Sequence, residues 1–165
     1  MDKMTAIQSV HNPRVKLWAS LLERKGREKE GLFLVEGVHL VQEALRSGAD
    51  VEAVVFSEVR GLSRELEPYI GESCDSSRLV AVSEEVLAKC SDTVTPQGVF
   101  AVVRKRGASV QEIIESHRSL VVVADGVQDP GNLGTIIRSA DAVGASAVLL
   151  GKGTVDLYNA KTIRA

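Results

Sequence analysis

Residues 120–151 read L-V-V-V-A-D-G-V-Q-D-P-G-N-L-G-T-I-I-R-S-A-D-A-V-G-A-S-A-V-L-L-G. Leu120 to Ala124 is an unbroken apolar run of strand length, the pattern expected when both faces of a sheet are covered. Leu133 to Val143 repeats apolar residues at helical spacing, with Leu133, Ile136, Ile137, Ala140 and Val143 on one face. Ala147 to Leu150 is a second short apolar strand, ending at Gly151. Strand, helix and strand joined by short loops predict a parallel pair with a right-handed crossover, so this part of the chain is α/β. Ligands of such sheets bind beyond the carboxyl ends of the strands, and the loop 125–134 lies at that edge.

The loop has the chemistry of an anion site. Gly126, Gly131 and Gly134 predict a segment that bends sharply and lets a ligand approach the backbone, and Pro130 fixes one turn of it. Asn132 is expected just before the helix, capping its exposed N–H groups or turned outward to a ligand. A helix N-terminus carries partial positive charge and free donors, which welcome an anion. Arg138 lies one turn beyond Gly134, with Thr135 and Asp141 near it in angle. Its guanidinium either grips phosphate or pairs with Asp141, and both readings stay open. The spacing matches neither G-x-G-x-x-G nor the phosphate-loop pattern, which argues against a dinucleotide fingerprint and an ATPase.

Toward the N-terminus the same alternation recurs. Asn12-Pro13 is a helix start, followed by Val15, Trp18, Leu21 and Leu22 at helical spacing, with Gly26 as a stop. The charged run 23–30 is expected to be an exposed turn or a fraying helix end. Strands are expected at Leu32–Val35, Val51–Phe56, Leu79–Val82 and Val99–Val103. Helices are expected at Val38–Arg46 and Ser63–Ile70, and from the Ser83 cap through Lys89, with a turn at Thr95-Pro96-Gln97-Gly98. Arg104-Lys105-Arg106-Gly107 breaks the pattern, either as a solvated hinge or as a basic linker touching phosphate. The organisation read from this is a domain over 1–105, a linker with a short helix over 106–117 (Ser109 to Glu115), and a second domain over 118–165.

Composition is that of a soluble globular protein, 44% hydrophobic and 25% charged. No apolar run reaches the roughly 18 residues of a membrane helix, and the first residues lack the apolar core of a signal peptide. Cys74 and Cys90 fit no metal spacing and suggest no disulfide framework, so a reducing cytoplasm is expected. Net charge is −2, yet residues 1–30 hold seven basic side chains against four acidic ones. Asn12, Arg14, Lys16, Lys25 and Arg27 are the candidate phosphate contacts of an RNA-binding surface, with a solvated helix face as the alternative. Only six aromatic residues make extensive base stacking improbable.

The string D-G-V-Q-D-P-G-N-L-G-T-I-I-R-S-A-D-A-V-G at 125–144 closely resembles the first motif of the SpoU (TrmH) branch of the SPOUT RNA 2′-O-ribose methyltransferases. Asp156 to Ala165, D-L-Y-N-A-K-T-I-R-A, is similar to that family's Y-N-P-K-x-x-R-A stretch, with Ala160 in place of the usual proline. Ser9 to Arg14, Phe33 to Ala44 with V-E-G at 35–37, and Thr95 to Gly98 are similar to its substrate-binding domain.

The resemblance implies an N-terminal α/β domain like that of certain RNA-binding ribosomal proteins, followed by a knotted, Rossmann-like α/β domain. The latter would bind S-adenosylmethionine and form a homodimer. The substrate would be RNA, ribosomal (23S) first and transfer RNA second, and no membrane partner or metal is expected. By motif match Asn132 and Arg138 fall on the family's catalytic asparagine and arginine, and Arg164 on a candidate RNA-phosphate contact. The physical demands agree: the ribose hydroxyl must be aligned and its developing charge stabilised. An arginine is a poor base because it stays protonated. The base is therefore left to a substrate phosphate or water.

The family's donor pocket is assembled mainly from two later motifs, a Gly-rich loop and the knot segment, and neither occurs in these 165 residues. The SPOUT domain is accordingly expected to be incomplete and the chain to recognise RNA without methylating it alone. The alternative is a non-catalytic RNA-binding module.

Overall fold

The computed structural model describes residues 6–107, 109–115 and 120–165. It divides into two compact units, Met1–Lys105 and Arg106–Ala165.

The first unit opens with helices α1 (Pro13–Ser20) and α2 (Arg24–Glu30), then strand β1 (Leu32–Glu36), helix α3 (Val38–Arg46) and strand β2 (Val51–Ser57). Strand β3 (Leu79–Val82), helix α4 (Glu84–Lys89) and strand β4 (Val99–Arg104) complete it. The sheet order is β1-β4-β2-β3, antiparallel except for the β2–β3 pair. Alternation along the strands sends Leu32, Ala53, Val55, Val80, Val82, Phe100 and Val102 to one face, where they bury against Val15, Trp18 and Leu21 and against Val86, Leu87 and Cys90. Trp18 and Phe100 meet edge to face, 5.7 Å between centroids, the arrangement favoured by the ring quadrupoles. Helix α3 packs against β1, β2 and β4 through Val41 and Leu45. Burial pushes the Cys90 thiol up to about 11.

Three expectations fail here. Residues 23–30 are not a fraying end but a second helix, stopped at Gly31 in the left-handed region. Gly26 sits inside that helix because the chain doubles back on α1: a Cβ there would lie 1.9 Å from the Ser20 carbonyl oxygen. Gly26 is a close-approach residue rather than a stop. The helix expected at Ser63–Ile70 is replaced by a single 3₁₀ turn at Glu67–Tyr69. Pro68 has no N–H to give and its ring crowds the preceding turn, so an α-helix cannot run through it.

The second unit holds helix α5 (Val110–Glu115), strand β5 (Val121–Ala124), helix α6 (Pro130–Ala142), strand β6 (Ala147–Leu150) and helix α7 (Ala160–Arg164). A capping box starts α5: Ser109 Oγ accepts from Glu112 N–H at 3.2 Å, and the Glu112 carboxylate accepts from Ser109 N–H at 2.6 Å. That double contact, led by the backbone N–H, holds Glu112 below the usual carboxylate range. Strands β5 and β6 are parallel, in register from Val121↔Ala147 to Ala124↔Leu150, with α6 as the crossover. The apolar β5 has the pattern of a strand covered on both faces, but an incomplete domain has too few layers to cover it: Val123 is 65% and Leu149 38% exposed, and these are register partners pointing to the same side. Among the described residues α6 covers only the other face.

Gly26→Ala is expected to lower the stability of the first unit by about 1–3 kcal/mol through overpacking against the Ser20 backbone, read as a shift in the chemical-denaturation midpoint.

Candidate functional site

The carboxyl ends of β5 and β6 carry two loops that lie along each other. Gly151 N–H donates to Ala124 O at 2.8 Å, and Val155 N–H donates to Val127 O at 2.8 Å. Thr154 Oγ1 donates to Ala124 O at 3.0 Å. The Asp125 carboxylate lies against Gly151, where a Cβ would come within 2.2 Å of it. The edge that the sequence assigned to a ligand is therefore a tied pair of loops, 125–129 and 151–159.

The start of α6 differs from the sequence reading in a way that matters chemically. The cap is Asp129, whose carboxylate accepts from Asn132 N–H at 2.7 Å, and Pro130 takes the first helical position. Asn132 thus lies inside the first turn, its exposed side chain free of the capping role. Leu133 N–H bonds the Asp129 carbonyl at 3.1 Å, and Pro130 has no N–H. Of the four leading positions only Gly131 keeps an uncommitted donor, and a carboxylate already stands where an anion would bind. The helix end is not the anion site that the loop pattern suggested. The Asp-Pro pair, cap then first-turn proline, was the signal that located it.

Gly131 and Gly134 are likewise helical rather than loop residues. Gly134 is buried where α7 crosses α6; a Cβ there would meet Ala165 Cβ at 2.6 Å and the Thr162 carbonyl at 3.0 Å. Helix α7 starts from Asn159, whose Oδ1 accepts from Lys161 N–H at 2.9 Å. Ala160 occupies the first helical position, the one where a proline is tolerated without loss of a bond, so its replacement of the family's proline leaves the turn unchanged. Thr162 Oγ1 donates to Asp156 O at 3.2 Å, and the Tyr158 hydroxyl donates to Arg106 O at 3.2 Å. Burial pushes the Tyr158 hydroxyl up.

Arg138 is exposed, and no carboxylate among the described residues pairs with it, Asp141 included. Asn132 and Arg138 are six positions apart, about 120° round the helix and about 9 Å along it. They flank one side of α6 without touching through a shared partner. Arg164 is exposed in the last turn of α7.

In the first unit the proposed cations separate by role. Asn12 Oδ1 accepts from Arg14 N–H at 2.9 Å, which makes Asn12 the cap of α1. The Arg14 guanidinium lies 5.1 Å from the Trp18 ring centroid, a cation–π contact that holds it while its N–H groups stay accessible. Lys16 and Lys25 are exposed. Arg27 is the correction: it is 6% exposed, and its guanidinium donates to Leu21 O at 2.9 Å and Leu22 O at 2.8 Å. It satisfies the carbonyls that end α1 and is not available to phosphate. In the basic stretch 104–107, Arg104 belongs to β4 and pairs with Glu52 and with Asp50 at 3.5 Å.

Two of the segments that resemble one substrate-binding domain, 33–44 and 95–98, meet in space. Gly37 of V-E-G packs on the Gln97 side chain, 2.3 Å from where a Cβ would stand, and the Glu36 carboxylate accepts from Ser91 Oγ at 2.6 Å and Thr93 Oγ1 at 2.8 Å. Nearby, the Ser57 hydroxyl donates to Glu84, and Arg60 pairs with the same carboxylate at 2.8 Å. These contacts, the hydroxyl first, hold Glu84 below the usual carboxylate range.

With this geometry in place, comparison with known proteins is decisive about class. Residues 12–101 match the MRM3-like substrate binding domain, and residues 119–165 match the SpoU rRNA Methylase family. The chain belongs to the SpoU rRNA methylase family and carries an MRM3-like substrate-binding domain ahead of its SpoU region. It is 40% identical over 161 residues to the 23S rRNA (guanosine(2553)-2′-O)-methyltransferase RlmP of Bacillus subtilis (strain 168), which covers 98% of this chain and 60% of that protein. It is also 40% identical over 146 residues to the mitochondrial rRNA methyltransferase 3 of Mus musculus, covering 86% of this chain and 34% of that one.

Among solved structures, an RNA 2′-O ribose methyltransferase matches with a TM-score of 0.71 at 40% identity, over 97% of this chain and 60% of the other. The AdoMet-bound rRNA methyltransferase of Sinorhizobium meliloti matches at 0.78 and 31% identity, over 98% of this chain and 59% of the other. The chain thus spans about 60% of the length of the RlmP relative.

Two substitutions separate the capping roles from the proposed functional ones. Asp129→Ala is expected to cost about 1 kcal/mol through loss of the α6 cap, while Asn132→Ala at an exposed first-turn position stays within about 0.5 kcal/mol of wild type; thermal unfolding of both variants checks this. Arg27→Met is expected to cost about 1–3 kcal/mol by leaving two backbone carbonyls unpaired, measured by denaturant titration.

Proposed function

We propose that the gene product containing these residues is an S-adenosylmethionine-dependent RNA ribose 2′-O-methyltransferase acting on ribosomal RNA, 23S rRNA in particular. We propose further that it works in the cytoplasm as a homodimer. In this reading the first unit, over 1–105, binds the RNA, 106–117 is a linker, and 118–165 belongs to the methyl-transfer domain. The observation that carries the reading is Arg138: an exposed guanidinium with no carboxylate partner among the described residues, about two turns along the helix that the SpoU match covers. A structural arginine would be expected to have found the neighbouring Asp141.

The donor supplies an electrophilic methyl group. Among the described residues the chain offers one edge for it, the backbone at Gly126, Gly151 and Gly153 beyond the carboxyl ends of β5 and β6. That edge is open rather than a closed nucleoside pocket. What Arg138 supplies is a permanent positive charge with a planar set of donors. It orients the ribose through the adjacent phosphate and stabilises negative charge growing on the 2′ oxygen as its proton departs to a phosphate or water. Asn132, freed from capping, presents its amide from the first turn of α6 to position the nucleotide. Arg14, Lys16 and Lys25 are the phosphate contacts retained for the first unit, and Arg164 for the second. Asn12 acts through its cap, by fixing where α1 begins.

In the full gene product, Arg138→Ala is expected to lower the rate of methyl transfer to RNA about 10²–10³-fold with an unchanged unfolding midpoint. Transfer of labelled methyl from S-adenosylmethionine to rRNA is the measurement. Turnover within threefold of wild type would remove Arg138 from the chemistry.

A further inference from the structure

The chain has three asparagines, Asn12, Asn132 and Asn159, and two of them are helix caps. Asn12 (φ −54°, ψ 134°) accepts from Arg14 N–H at 2.9 Å, and Asn159 (φ −63°, ψ 134°) accepts from Lys161 N–H at 2.9 Å. Asn132 is the exception. It lies inside the first turn of α6, and its exposed side chain makes no hydrogen bond with a described residue. We propose that Asp129 is the positioning residue that keeps it there: by taking the cap of α6, Asp129 withholds that role from Asn132 and leaves the Asn132 amide for the nucleotide. Asp129 acts through Asn132, so this role rests on the nucleotide contact proposed for that amide.

The stretch D-P-G-N at 129–132 offers the helix two starts. Asp and Asn are equally good caps, and here they stand three residues apart. A start at Asp129 places Pro130 and Gly131 in the first turn. Pro130 is pre-shaped for the first helical position, but Gly131 is a poor helix former, so this turn depends on its cap. A start at Asn132 would release both residues from the helix. It would also commit the Asn132 side-chain oxygen to the N–H of Gly134 or Thr135, as Asn12 and Asn159 are committed at α1 and α7.

The earlier start is tied at three points. The Asp129 carboxylate accepts from Asn132 N–H at 2.7 Å, the Asp129 carbonyl accepts from Leu133 N–H at 3.1 Å, and Thr135 Oγ1 donates to Gly131 O at 2.9 Å. Gly131 leaves room for the carboxylate, since a Cβ there would stand 3.2 Å from Asp129 Oδ1. Leu133, the next residue, is fully buried. Asn132 is therefore fixed through its backbone on both sides while its amide stays open. A group that must align a ribose needs that combination, because a misplacement of about 1 Å can cost about 10²-fold in rate.

The test uses the full gene product and four variants: Asp129→Ala, Asp129→Ser, Asn132→Ala and Asp129→Ala/Asn132→Ala. Serine caps as well as aspartate but carries no charge. Transfer of labelled methyl to rRNA is resolved into kcat and KM for RNA, and folding stability is read by denaturant titration. Asn132→Ala is expected to lower kcat about 10²-fold, and Asp129→Ala about tenfold or more with KM within about threefold of wild type. Asp129→Ser should return kcat to within about threefold of wild type. The double variant should be no more than about threefold slower than Asn132→Ala, because one residue acts through the other. Stability should show the same coupling: Asn132→Ala lowers the folding constant less than about twofold in wild type, but about fivefold in the Asp129→Ala background, where Asn132 has become the cap.

An Asp129→Ala kcat within threefold of wild type, a serine variant as slow as the alanine one, rate losses that multiply in the double variant, or independent effects on stability would each overturn the role of Asp129. If Asn132→Ala is slow while Asp129→Ala is not, that role alone fails. If Asn132→Ala turns over at the wild-type rate, the nucleotide contact proposed for Asn132 fails and takes the role of Asp129 with it.

Discussion

The hydrogen bond from Asn132 N–H to the Asp129 carboxylate sets the phase of α6, and the functional reading of the second unit follows from that phase. Starting the helix at Pro130 turns Leu133, Gly134 and Ala140 inward and leaves Asn132 and Arg138 outward. A start three residues later would have made Asn132 the cap and left its amide committed to the backbone. The same carboxylate closes the positive end of the helix. Arg138, further along, is exposed and has no carboxylate partner among the described residues, so its permanent charge faces solvent. Gly134 then allows α7 to cross close by, which brings the stretch containing Arg164 onto the same helix.

The first unit depends on an analogous backbone problem solved by a side chain. Helix α1 ends after two turns, and its last carbonyls would face a packed neighbour. Arg27 reaches back from α2 to accept that role, with Gly26 giving the room for the two helices to meet. Charge counting cannot distinguish this buried guanidinium from its exposed neighbours. Arg24 and Lys29 are also set aside by local acidic partners, Glu28 and Glu30. The basic excess of the first thirty residues therefore reduces to a smaller set of accessible cations, Arg14, Lys16 and Lys25 among them. Lys89 from a distant stretch adds to this surface by folding.

Much of the architecture was legible in local pattern. Helix α3 runs over the residues that its apolar spacing marked, and Ser83 caps α4 as a serine before two glutamates should. Errors arose where a residue had two physical uses. Glycine ends helices, yet Gly26 here permits a close contact. Residues 63–70 had helical spacing, but Pro68 broke the bond pattern that spacing cannot see. Asn132 had the chemistry of a cap, but Asp129 before Pro130 had it too, and the helix took the earlier start. Of the candidate site, Asn132 and Arg138 are named by motif, while their outward placement on α6 depends on the Asp129 cap that the motif does not reveal.

The sequence by itself determined the alternation of strands and helices, the parallel β5–α6–β6 unit, the family, and which residues carry charge. Those properties follow from periodicity and from the order of side chains along the chain. Only the tertiary structure decided which charges are used internally and which face solvent, because that depends on the partner each side chain meets. Arg27 and Arg138 are the same residue type on neighbouring-looking polar stretches; one is enclosed by two carbonyls and the other meets no described acid. Packing, not composition, makes the first a structural cap and leaves the second exposed to solvent.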